Sequence, residues 1–240
     1  MNGSTALVTG ATSGIGKELS RQLAALGWEV IIGARDADRG EKAAAEVAGR
    51  LLLLDVTDPA GVAAAAASLP TLDVLVNNAG ISLDTGSTIT ATDLDTFRRT
   101  YETNVFGVIT VTNAFLPSLR RSAHPRIVNL SSGTGSLTWS SGPNPQFDFR
   151  AASTGAGAAY RSSKTALNAL TLFYAQALAP EGIKVNALAP GLRATNLNPQ
   201  ARAAGGDPAE AAAGAVRLAM LDDDGPTGQL FSWDGTVVPW

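Results

Sequence analysis

Two hydrophobic rhythms alternate along the chain. Short runs that are apolar at nearly every position occupy residues 4–9, 28–34, 50–56, 72–76, 126–132 and 183–189. Between them, over residues 15–26, 59–69, 92–121 and 208–221, apolar positions recur every three or four residues. A run without a polar face predicts a strand buried on both sides, and the longer period predicts an amphipathic helix. Residues 229–232 are expected as an edge strand. The alternation predicts an α/β fold in one domain spanning residues 1–240, with a parallel sheet of about seven strands, helices on both faces and right-handed crossovers.

Polar and glycine positions cluster where these strands end: residues 10–16, Arg35, Asp55, 77–80, 131–132 and 190–195. Ligands of parallel sheets bind at the carboxyl ends of strands, so this shared position matters more than any one motif. Gly10-Ala11-Thr12-Ser13-Gly14-Ile15-Gly16 leaves a strand and opens a helix that stops at Gly27. The turn is tight, the backbone can approach a ligand closely, and the helix start offers unpaired N–H groups to a pyrophosphate. The second strand ends in Gly33-Ala34-Arg35, where a dinucleotide site tests the ribose. An acidic residue there would accept from a 2′-hydroxyl; Arg35 instead suits a 2′-phosphate, to which Ser13 can add a hydroxyl. This favours NADP(H) over NAD(H). Asp36 bears on that choice, but just before Ala37-Asp38-Arg39 it reads as a helix N-cap.

Tyr160 and Lys164 lie one helical turn apart on one face. An ammonium about 4 Å from a phenol contributes about 4 kcal/mol at an effective dielectric near 20, or about three pKa units. A tyrosine so lowered can exchange a proton near neutrality. The spacing alone is common on helices, and its meaning depends on the setting. Asn104 is polar inside an apolar stretch, and on the sequence alone a tie from helix to strand explains it better than chemistry does.

Composition narrows the function. The net charge of −3 gives no reason to expect nucleic acid or an anionic membrane surface as partner. Without cysteine there is no disulfide, thiol nucleophile or thiolate metal site, and the single histidine, His124, argues against a Ser-His-Asp triad or a multi-histidine metal centre. No apolar run has the length of a membrane span, and the start of the chain does not read as a signal peptide, so a cytoplasmic location is expected. Two glycine- and proline-rich stretches interrupt the rhythm. Residues 133–159 are expected as an irregular insertion beside Tyr160, and residues 192–208 as a lid.

Thr9-Gly10-Ala11-Thr12-Ser13-Gly14-Ile15-Gly16, Asn77-Asn78-Ala79-Gly80, Tyr160 with Lys164, and Pro190-Gly191 with Thr195 occur in the order of the motifs of short-chain dehydrogenases/reductases. The chain resembles that family over nearly its whole length. The resemblance implies a Rossmann-type doubly wound domain and a tetrad of Asn104, Ser132, Tyr160 and Lys164, with Ser131 as the alternative register for the serine. It further implies that Gly10, Thr12, Ser13, Gly14, Ile15 and Gly16 cradle the cofactor. Asp55 and Val56 would border the adenine, Asn78, Ala79 and Gly80 the adenosine side, and Pro190, Gly191 and Thr195 the carboxamide and pyrophosphate. The separation of Ser132 from Tyr160 exceeds the family's usual spacing and looks like the carbonyl-reductase subgroup, some members of which are monomeric. A monomer or homodimer is therefore expected in preference to a tetramer.

The function so implied is NADPH-dependent reduction of a ketone or aldehyde to an alcohol, with Tyr160 as general acid. Trp139, Phe147, Phe149, Leu192 and Leu197 suggest an apolar substrate pocket, and Arg150 and Arg193 are candidates for holding a carboxylate. The alternatives are alcohol oxidation and a non-catalytic NADP(H) sensor of the same fold. A sugar-nucleotide epimerase shares the Tyr and Lys but needs more chain after Lys164. The alanine-rich helices, which a scaffold would also show, reflect helix propensity.

Overall fold

The computed structural model describes residues 3–143, 154–203 and 205–240. Seven strands run parallel: β1 (Thr5–Thr9), β2 (Glu29–Ala34), β3 (Arg50–Leu53), β4 (Val74–Asn77), β5 (Arg126–Leu130), β6 (Lys184–Ala189) and β7 (Leu230–Ser232). They lie in the order β3-β2-β1-β4-β5-β6-β7. An eighth, β8 (Val237–Val238), pairs antiparallel with β7, so residues 229–232 do not form the edge expected of them. Two residues beyond the Asp234-Gly235 turn are too few to carry a readable period.

Alternate strand residues feed two separate cores, which is why the strands lack a polar face. Ala6 and Val8 of β1 pack with α1 (Gly14–Ala25), α2 (Ala37–Val47) and the late helix at Pro208–Ala219, while Leu7 joins Leu75, Phe115 and Ile127 on the other face. That second layer is covered by α3 (Pro59–Ala67), α5 (Gly107–Leu119) and a long helix at Ala158–Leu178, and α4 (Leu94–Tyr101) precedes α5. Counting α6 (Leu137–Ser141) and a short helix at Pro199–Ala203, these three later helices are α7 (Ala158–Leu178), α8 (Pro199–Ala203) and α9 (Pro208–Ala219). No helix among the described residues is long and apolar enough to cross a membrane.

Several boundaries move, each for a local reason. The predicted helix over 92–121 is α4 and α5 joined by a π-helical turn, Glu102–Phe106. Beyond it the helix lies so close to the sheet that a Cβ on Gly107 would meet the Val56 carbonyl oxygen at 3.1 Å. Residues 54–56 leave β3 early and turn across the carboxyl end of the sheet, where Leu54 N–H donates to Ala34 O at 2.8 Å. Within the stretch 133–159 the described residues include a 3-10 turn at Gly133–Gly135 followed by α6. Phe147, Phe149 and Arg150 fall outside the described residues.

Phe115 is fully buried in the second layer. Phe115→Ala should lower stability by about 3–5 kcal/mol in urea unfolding. A loss below about 1 kcal/mol would mean that this layer is not packed as described.

Candidate active site

The strand order reverses between β1 and β4, and the crevice opens at their carboxyl ends. Thr9, 2% exposed, holds the two sides together. Its hydroxyl accepts from the amides of Asn78 and Ala79, each at 3.0 Å, and donates to Val76 O at 3.3 Å. The Asn78 side chain returns the link, donating to Thr9 O at 2.8 Å and Gly10 O at 3.1 Å. This closeness dictates the glycines. Gly10 has a φ of +64°, and a Cβ there would lie 2.9 Å from Ala79 Cα; a Cβ on Gly16 would collide with the Asn78 amide.

The N-terminus of α1 is left open. Ser13 sits at the cap position but makes no side-chain capping bond, and the first turn holds no acidic residue. Unpaired N–H groups therefore face a cleft of about 510 Å³, lined there by Gly10, Thr12, Ser13, Gly14, Ile15, Gly16 and Thr195. Such an end fits a pyrophosphate. The cleft continues past Asp55 and Val56 on one side and Asn78, Ala79 and Gly80 on the other.

Arg35 closes one end of the cleft, joined by Arg39, which the sequence reading passed over. Asp36 caps α2 by accepting the Arg39 amide at 2.9 Å. That cap sets Arg39 one helical turn beyond Arg35, and its guanidinium reaches Thr12 Oγ1 at 3.4 Å. The i, i+4 spacing of the two arginines was the available signal. Burial alone would raise the nearby Asp55 carboxyl, but hydrogen bonds from Thr57 and the Arg35 charge hold it below its usual range.

Tyr160 and Lys164 lie in the other half of the cleft. Lys164 is 4% exposed and donates from Nζ to Leu130 O at 2.7 Å; Nζ lies 5.7 Å from the centre of the Tyr160 ring. The expected lowering of the tyrosine is corrected by this geometry. Tyr160 keeps an accessible face, but its depth in the cleft desolvates the phenol and pushes it up to about 12, against the lowering effect of a hydrogen bond with Ser132. Desolvation also pushes Lys164 down to about 8. The ammonium is turned toward the end of β5, too far from the phenol to outweigh the loss of water.

The two serines separate cleanly. Ser131 points inward, donating to Asn168 Oδ1 at 2.5 Å, whereas Ser132 faces Tyr160 and lies 2.9 Å from Thr134 Oγ1. Asn104, fully buried in the π turn, binds both the amide and the carbonyl of Ile81 at 2.9 Å and donates to Ser163 Oγ at 3.0 Å. It ties helix to strand, and it also stands beside Lys164, since a Cβ on Gly80 would lie within 3.6 Å of both side chains.

Other expected residues are placed differently. Trp139 is 9% exposed and packs with Ala187, Ala189, Leu230 and Val238, a core position reached because α6 folds back on β6 and β7. Arg193 is engaged with Glu210 at 2.6 Å, with Pro190 O and with the Trp233 ring, so it braces the turn after β6. Pro190 and Thr195 line the cleft, while Gly191, with a φ of +69°, backs onto Trp233. Leu197 lines the cleft and Leu192 is 61% exposed.

The family described as "short chain dehydrogenase" matches residues 4–144 and 151–205. The chain belongs to the short-chain dehydrogenase/reductase family. A galactitol 2-dehydrogenase (L-tagatose-forming) from Cereibacter sphaeroides is 33% identical over 263 aligned positions, covering 100% of this chain and 97% of its own. The NADPH-bound carbonyl reductase from chicken fatty liver superposes with a TM-score of 0.84 at 30% identity, covering 100% of both chains. A 3-ketoacyl-(acyl-carrier-protein) reductase from Brucella melitensis complexed with NADH gives 0.82 at 26% identity, covering 96% of each. The chain is thus an oxidoreductase of this family with a doubly wound fold.

Folded Lys164 releases its proton near pH 8 and the unfolded side chain near 10.5, so the unfolded chain holds more protons across that window and stability rises with pH there. Without nucleotide, the wild type should gain stability relative to Lys164→Met between pH 8 and pH 10. Urea unfolding at both ends of the window tests this, and a constant difference would refute a desolvated ammonium.

Proposed function

We propose that this protein reduces a ketone or aldehyde to an alcohol with NADPH. The carrying observation is Tyr160, hydrogen-bonded to Ser132 and lining the same cleft as the open α1 N-terminus and two guanidinium groups. The likeness to an NADPH-bound carbonyl reductase supports the reading. Arg35 and Arg39 would take the 2′-phosphate, and Asp36, engaged with α2, competes little for them. The glycine turn would hold the pyrophosphate, and Lys164 the nicotinamide ribose. Bound nicotinamide supplies the hydride.

The protein supplies position and a proton. Tyr160 is neutral in the free enzyme and so holds the proton that carbonyl reduction consumes. Tyr160 donates to the developing alkoxide while Ser132 hydrogen-bonds the same oxygen. Asn104 holds the path between Lys164 and solvent. Leu192 and Leu197 form apolar parts of the substrate wall, and residues 192–208 close over it as a lid.

NADPH absorbance loss with a panel of ketones and aldehydes is the direct test. Tyr160→Phe should lower kcat by about 10²–10⁴-fold while NADPH still binds; retained turnover would remove Tyr160 from the chemistry. Arg35→Ala and Arg39→Ala should each raise the NADPH KM about tenfold and leave the NADH KM nearly unchanged. Equal effects on both nucleotides would mean that neither arginine reads the phosphate.

A further inference from the structure

The helix carrying Tyr160 and Lys164 begins without a cap of its own. α7 follows Gly157, which has a φ of +70° and, as a glycine, no side chain to accept the first amides. α2, α3, α4 and α9 are each capped by an aspartate immediately before them: Asp36, Asp58, Asp93 and Asp207. For α7 the carboxylate comes from far away in the sequence. Asp84, 3% exposed, accepts Ala159 N–H at 2.6 Å and Tyr160 N–H at 3.3 Å, one on each oxygen.

The segment that carries Asp84 touches every part of the site. Its start is bonded to Thr9 through the amides of Asn78 and Ala79. Ile81 holds Asn104, and Ser82 accepts from Asn198 on the lid side at 3.3 Å. Ser87 O accepts Gly157 N–H at 3.0 Å, and Thr88 forms a bridge with Ala156. The chain entering α7 is therefore bound to the loop after β4, and Asp84 is the buried charge at that joint.

We propose that Asp84 is a positioning residue for Tyr160. Its carboxylate fixes the first turn of α7 against the loop after β4, and so fixes the phenol against Ser132 in the turn after β5. A first turn that follows a glycine and lacks this acceptor would fray, since its amides have no other partner. The helix dipole and the charge-assisted bonds favour a carboxylate over a neutral acceptor here. This inference rests on Tyr160 being the proton donor.

The test compares Asp84→Ala, Asp84→Asn and, as a control, Asp93→Ala, which removes the exposed cap of α4. Asp84→Ala should lower kcat about thirtyfold or more, because a displacement near 1 Å can cost about a hundredfold. Its NADPH Kd should stay within about threefold of wild type, because neither Asp84 nor Ala159 lines the cleft. Asp84→Asn keeps one acceptor oxygen and should lose only about three- to tenfold in kcat. Asp93→Ala should lose stability with kcat unchanged. Wild-type kcat in both Asp84 variants, or in Asp84→Asn where Asp84→Ala does not fold, would make Asp84 an ordinary cap and overturn the proposal. A rise in NADPH Kd matching the loss in kcat would overturn it as well. Amide hydrogen exchange of Ala159 and Tyr160 without nucleotide should speed up in Asp84→Asn, and unchanged protection would also defeat the proposal. If the wild type consumes no NADPH with any carbonyl, the proposed function fails, and amide exchange alone then decides whether Asp84 holds the turn.

Discussion

The hydroxyl of Thr9 joins the two halves of the sheet at the point where their directions diverge. Two amides donate to it and it donates to one carbonyl, so a single buried oxygen ties three backbone groups at the end of β4 to β1, adding to the bond between Asn78 N–H and Val76 O. The joint brings the β1 turn against the β4 turn so closely that glycine is required at Gly10 and Gly16. From there the start of α1, the cleft and the segment leading to Asp84 all take their positions. A valine at Thr9 would keep the volume, leave the Ala79 amide without the Thr9 acceptor and leave the Asn78 amide with Val76 O alone.

Helix capping divides the molecule into structural and functional ends. Aspartates satisfy the first turns of α2, α3, α4 and α9, and α7 receives a carboxylate from the loop after β4. α1 alone among these has a serine in the cap position whose side chain does not cap, and it opens on the cleft. An unpaired helix start costs stability unless water or a ligand completes it. Its restriction to the one helix that follows the glycine turn marks a place kept for an anionic group.

The sheet, its helices and the Tyr160–Lys164 pair were legible because each rests on a local rule, whereas Asn104 and Ser132 came from the family resemblance. Doubly buried strands read as apolar runs, the glycine turn stood between a strand and a helix, and Tyr160 and Lys164 share a helical face. What escaped the sequence was set by distance across the fold. Asp84 is separated from its partners by 75 and 76 residues, and no pattern near it announces a cap. Trp139 reads as a pocket aromatic until α6 is seen to fold onto β6 and β7. The Tyr160 pKa was misjudged because residue spacing reports the neighbour but not the water lost by both groups.

That loss of water bears on what the Tyr160 region is for. A buried ammonium lowered to about 8 and a phenol raised to about 12 both lie on the unfavourable side of burial, and each has an apolar replacement that would fill its space. Lys164 recovers part of the cost through Leu130 O, and Asn104 is satisfied only by shaping a π turn around Ile81. Fold stability alone would select none of these choices. Groups whose pKa values are shifted by their surroundings are instead those whose protonation can change when another charge arrives in the cleft. The same desolvation that raises the phenol makes Tyr160 sensitive to what binds beside it.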